Sequence, residues 1–105
     1  MRLGGKEIAI TSGSLISQLY DNTTAHRLRF RHRYEVDPQY IAPLTKHGLI
    51  FSGRHPTQPI MQMLELPQSQ HPYFVGTQAH PCLTSRPLNP DGMFLGLVKA
   101  ALART

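Results

Sequence analysis

The chain lacks tryptophan and has a single cysteine, Cys82. One cysteine permits no internal disulfide, which is what a reducing, cytoplasmic setting leads one to expect. No apolar run approaches the roughly 20 residues of a membrane helix. The opening Met1-Arg-Leu-Gly-Gly-Lys-Glu7 does not read as a secretory leader, because it contains no apolar core. Also missing are zinc-ligand spacing, a glycine-rich phosphate loop and any RNA- or DNA-binding fingerprint. Acidic residues are scarce: 6 Asp and Glu face 11 Lys and Arg, a net charge of +5. At 105 residues the chain holds one domain with a modest core.

Much of the positive charge sits at Arg27, Arg29, Arg31 and Arg33. Alternate spacing places these four on one face of a strand, with Leu28, Phe30, His32 and Tyr34 on the other. Such a face is either solvated or a clamp for an anionic group such as a carboxylate or phosphate. His26, His47, His55 and His71 show no metal-binding spacing and read as surface or loop residues.

In chain order, Met1 to Gly4 reads as the tail of a strand entering a turn, and Glu7 to Thr11 as a short strand. Ser14 is an N-cap for a short helix with Leu15, Ile16, Leu19 and Tyr20 on its apolar side, stopped by Asp21-Asn22-Thr23-Thr24. His26 to Val36 alternates strictly and predicts a strand. Asp37-Pro38 starts a helix with Tyr40, Ile41 and Leu44 facing inward, closed by Lys46-His47-Gly48. Leu49 to Ser52 and Ile60 to Leu66 are strands, separated by a loop over 53–59. A polar loop spans Pro67 to Pro72. Arg86 to Pro90 is an extended link. Asn89-Pro90 or Asp91 begins a last helix whose Met93, Phe94, Leu97, Val98, Ala101 and Leu102 form a wide apolar face that requires a partner. The fold class is mixed α/β in one domain, 1–105.

The run Tyr73-Phe-Val-Gly-Thr-Gln-Ala-His80 predicts a strand that ends on a histidine, because Pro81 has no N–H to continue a ladder. Ligands of open α/β sheets bind at that edge. A histidine there is either a simple strand end or an acid/base group, since its ordinary pKa lies near neutrality.

Four stretches carry a resemblance. Met1-Arg-Leu-Gly4, Arg31-His-Arg-Tyr-Glu-Val-Asp37, His71-Pro-Tyr-Phe-Val-Gly-Thr-Gln-Ala-His-Pro81 and Ser85-Arg-Pro87 with the apolar tail from Met93 resemble the CTP synthase family. The likeness is to the C-terminal part of its class I glutamine amidotransferase domain, and order and gaps agree over nearly the whole chain. The resemblance implies part of a three-layer α/β/α fold. It also implies release of ammonia from L-glutamine for ATP-dependent amination of UTP to CTP, in pyrimidine nucleotide biosynthesis. ATP and Mg²⁺ belong to the family's separate synthetase domain, and no cofactor is expected in this segment. The implied partners are that synthetase domain and the N-terminal half of the amidotransferase domain, in a homo-oligomer. Neither a membrane nor a nucleic acid is among them.

The family hydrolyses glutamine with a Cys-His-Glu triad: a thiolate attacks the amide carbon, the histidine shuttles the proton and the carboxylate orients the imidazole. By resemblance His80 is the triad histidine, Cys82 stands at the glutamate position and Arg33 contacts the bound glutamine. Leu28 and Phe30 replace a family glutamate and histidine. The family's nucleophile and oxyanion hole lie upstream of the match to Met1-Arg-Leu-Gly4. The chain therefore reads as a C-terminal fragment without the nucleophile elbow, inactive by itself, with Cys82 a degenerate position. A rival reading is a non-catalytic remnant that binds a partner or regulates an active synthase. A third, a small basic nucleic-acid-binding protein, requires salt-dependent binding.

Overall fold

In the computed structural model, which describes residues 2–104 and leaves Met1 and Thr105 outside the described residues, capping side chains stand at the head of two helices and of the turn that leads into a third. Ser14 opens α1 (Leu15–Leu19) by accepting from the Ser17 amide at 3.1 Å. Asp37 accepts from Gln39 N at the head of a 3-10 turn, Pro38–Tyr40, that runs into α2 (Ile41–Lys46). Asp91 accepts from Met93 N and opens α3 (Gly92–Leu102). Such caps satisfy amides that the helix itself leaves unpaired. Asp21 and Asn22, at φ of 59° and 60°, stop α1 in the left-handed region. Gly48, at φ 104°, closes α2.

Between them lie β1 (Arg2–Ile10), β2 (Ala25–His32), β3 (Ile50–Arg54), β4 (Met61–Glu65) and β5 (Val75–Thr77). They form one antiparallel sheet in the order β2-β1-β3-β4-β5. The sheet curls. Beyond β5 the Gln78 amide still bonds to Gln62 O of β4, but Ala79 pairs with Phe30 of β2, the strand at the far end of the order. The mixed α/β content agrees with the sequence reading.

Register decides which side chains meet. Phe30 pairs with Gly4, Leu28 with Lys6 and His26 with Ile8, so Leu28, Phe30 and Ile8 share one face. There Ile8, Ile10, Ile16, Tyr20, Leu28, Phe30, Met63, Ala79 and Met93 form the core. Each large apolar side chain so buried contributes about 1.5–3 kcal/mol. Arg27, Arg29 and Arg31 occupy the opposite face and are exposed, as alternation requires.

Several expectations are corrected. The paired glycines Gly4 and Gly5 lie inside β1, not in a turn. β2 ends at His32 rather than Val36, and Tyr34 is 83% exposed. In α2 no residue is buried, and Tyr40 and Leu44 face outward. The stretch 86–90 is a turn, not an extended link, closed by reciprocal main-chain bonds between Arg86 and Asn89 at 3.1 and 3.0 Å.

α3 differs most. Phe94, Leu97, Val98 and Leu102 are exposed, and only Met93 and Gly96 are buried. Glycine selects the contact face. A Cβ on Gly92 would stand 2.2 Å from Leu19 O, and one on Gly96 2.5 Å from Leu19 Cδ2 and 3.0 Å from the Tyr73 ring. The smallest residues let α3 approach α1, so the bulky ones point elsewhere.

Candidate active site

His80 does not end a continuous strand. β5 stops at Thr77, whose Oγ1 accepts from Ala79 N at 2.9 Å and turns the chain away from β4. Ala79 then pairs with Phe30, and His80 N donates to Arg29 O at 2.9 Å. His80 thus sits opposite Arg29, and antiparallel pairing puts their side chains on one face. Pro81 follows at the first position of a 3-10 turn, Pro81–Leu83. The half-buried imidazole has no hydrogen-bond partner among the described residues.

Arg33 lies four residues beyond Arg29, just past the end of β2, and is exposed. His80 is thus bridged to β2 at Arg29, and Arg33 stands in the bend just beyond the end of that strand. Cys82 is exposed in the middle of the 3-10 turn, with a free thiol.

A cavity of about 300 Å³ opens between Val36, Phe51, Gln62, Leu64, Gly76 and Gln78. Val36 follows the Arg33 bend and Gln78 precedes His80, so the cavity lies between the two arms that carry the expected residues. None of Arg33, His80 and Cys82 lines it. Gln62 Oε1 is buried without a partner among the described residues.

Some structured polar groups escaped the sequence reading. Glu65 is 3% exposed and accepts from Leu15 N at 2.8 Å and Ile16 N at 3.0 Å, so a β4 carboxylate holds the head of α1. Its sequence signal was an acidic residue in a mostly apolar strand. His26, expected at the surface, is half-buried and stacks on Tyr20 with ring centroids 4.1 Å apart. Burial lowers its pKa from the ordinary histidine value, against an opposing pull from Asp91. The Tyr20 hydroxyl donates to both Asp91 oxygens, and burial followed by that carboxylate pushes its pKa well up. Tyr73 donates to Met93 O, and burial raises its pKa to about 12. His55 and His71 close their own loops, accepting at Nδ1 from Thr57 N and Tyr73 N. Among the described residues no group of three or more His, Cys, Asp and Glu could hold a metal, and no helix is long and apolar enough to cross a membrane.

Residues 1–100 match the family model described as glutamine amidotransferase class-I. The chain is similar to the CTP synthase of Tropheryma whipplei (strain Twist), 48% identical over 104 residues that cover 99% of this chain and 19% of that protein. It is similar to the CTP synthase of Methanopyrus kandleri, 52% identical over 101 residues, with coverage of 96% and 18%. A solved structure of the Trypanosoma brucei CTPS glutaminase domain with bound acivicin aligns with a TM-score of 0.88 at 29% identity, covering 98% of this chain and 40% of that one. The chain spans about a fifth of the length of the curated relatives it matches.

Proposed function

The chain belongs to the class I glutamine amidotransferase family, and we propose that it works as the C-terminal portion of a CTP synthase amidotransferase domain. In this reading the assembled domain releases ammonia from L-glutamine. A synthetase domain then uses ATP and Mg²⁺ to aminate UTP to CTP, within a cytoplasmic homo-oligomer. The carrying observation is the coverage of 99% of this chain by a CTP synthase at 48% identity.

His80 is the proton shuttle and Arg33 holds the glutamine α-carboxylate, which a guanidinium fork binds bidentately. The bridging of His80 to β2, the strand whose end leads into Arg33, supports this pairing. Cys82 occupies the place of the orienting carboxylate. A thiol is a weak acceptor with a short reach and leaves the imidazole poorly held. Loss of the orienting acid costs a serine triad roughly 10⁴ in turnover. A cysteine nucleophile, already partly ionised, leans less on its base. Cys82 is not the nucleophile in this reading, because it sits in an exposed turn and not at a strand-to-helix elbow. The alternative, a non-catalytic binding or regulatory module, is favoured by the thiol at position 82.

The test joins this chain to the upstream amidotransferase residues and synthetase domain of the Tropheryma whipplei relative. Cys82→Glu should raise glutamine-dependent CTP synthesis by about 10- to 1,000-fold, and leave ammonia-driven synthesis unchanged. Arg33→Ala should weaken glutamine binding by about 1.5–3 kcal/mol. The 105-residue chain alone should release no ammonia from glutamine. Equal responses to glutamine and ammonia, or turnover by the lone chain that depends on His80, would overturn the proposal.

A further inference from the structure

His32 is the last residue of β2 and immediately precedes Arg33. Its Nδ1 lies 2.9 Å from the carbonyl oxygen of Tyr34. That oxygen can only accept, so Nδ1 carries the proton and donates. The bond arches over Arg33, tying the residue before it to the residue after it. The other ring nitrogen, Nε2, is closed off from solvent and has no partner among the described residues. The ring meets Phe30 edge-on, with centroids 5.8 Å apart and planes at 62°, and Phe30 belongs to the core.

One end of the imidazole is thus anchored in the interior and the other reaches out to the main chain. Arg33 and Tyr34 have no such anchor of their own. Both are exposed, and both lie beyond the last ladder pair of β2, Arg2 with His32. A histidine that donates from Nδ1 to a carbonyl has its tautomer and orientation set by that bond. The same bond holds the Tyr34 carbonyl to a ring seated against the core.

We propose that His32 is the positioning residue for Arg33: its Nδ1–H bond to Tyr34 holds the bend that carries the guanidinium. The value of this for catalysis rests on the reading of Arg33 as the glutamine clamp. The side-chain amide of asparagine reaches where Nδ1–H stands, and that of glutamine reaches where Nε2 stands. Phenylalanine keeps the ring and loses both nitrogens. The three substitutions therefore separate the bond from the packing.

The first experiment uses the full 105-residue chain, isotope-labelled, in solution NMR. Ring nitrogen correlations should show His32 protonated at Nδ1. Backbone order at Arg33 and Tyr34 should fall in His32→Phe and His32→Gln and return in His32→Asn. An Nε2-protonated ring would overturn the proposal, as would unchanged order in His32→Phe or recovery by Gln as full as by Asn. The second measures glutamine binding by calorimetry in the chimera described above. Affinity should fall about fivefold in His32→Phe and recover in His32→Asn. If the unsubstituted chimera binds glutamine and Arg33→Ala does not weaken it, the clamp reading fails, and the backbone order decides the positioning role by itself.

Discussion

The corner around α1 and the turn that carries His80 are held by different parts of the chain. At α1 the side chains do the holding. Glu65 takes two amides of the helix head, Ser14 caps it, and the Tyr20 hydroxyl reaches Asp91 at the head of α3. Ile16 at its centre is fully buried. At the His80 turn the main chain does the holding. His80 N bonds to Arg29 O, Leu83 N to His80 O and Ser85 N to Pro81 O. Cys82 and Leu83 point outward, and Leu88 beyond them is fully exposed. A fixed backbone with uncommitted side chains is the condition for binding and catalysis on loops. A fixed backbone whose side chains are all committed is the condition for stability.

The largest effect that separates the two regions is truncation. Ile16→Ala should destabilise the chain by about 2–5 kcal/mol, while His80→Ala and Cys82→Ala should stay within about 0.5 kcal/mol of the parent. Urea unfolding of the three variants measures this, and equal losses would erase the distinction. A smaller change sharpens it. Glu65→Gln keeps one carbonyl acceptor for the head of α1 but leaves a second buried amide facing a donor. It should cost about 1–3 kcal/mol, with the loss visible as faster hydrogen exchange at Leu15 and Ile16.

The smallest effect is in pH. His26 has its pKa lowered by burial, so below the ordinary histidine value of 6.5 the unfolded chain takes up a proton that the folded chain refuses. Stability is then full above about pH 6.5 and falls as pH drops toward the folded pKa. Tyr73, raised to about 12, acts in the opposite direction: its contribution is full below pH 10 and is lost as pH rises through about 12. Melting temperatures across pH should tilt at both ends. His26→Phe should flatten the acid side and Tyr73→Phe the alkaline side. An acid limb unchanged by His26→Phe would remove His26 from the α1 corner's account.

The legible features were those written within a few residues. Ser14, Asp37 and Asp91 cap helices because a short polar side chain reaches amides two or three positions on, a relation the sequence displays directly. The alternation from Arg27 to Arg31 told inside from outside on β2 for the same reason. The expected site residues came from resemblance rather than from pattern. His80 and Arg33 are forty-seven positions apart (80 against 33), and no periodicity links them. In α3 the reading singled out the apolar face and passed over the glycines, because hydrophobicity ranks Phe94 and Leu97 above glycine. Close approach of two helices ranks Gly92 and Gly96 first.

By itself the sequence determined the mixed α/β class, the helix starts, the solvated arginine face and, through its motifs, the family. Tertiary structure alone decided that the sheet curls until Ala79 meets Phe30, that Glu65 holds a helix some fifty residues away, and that His32 bridges over Arg33. The division has one physical cause. Caps and alternation are settled by energies within a turn or a strand. Which distant segments meet depends on how the whole chain closes around its core, and every residue contributes to that closure.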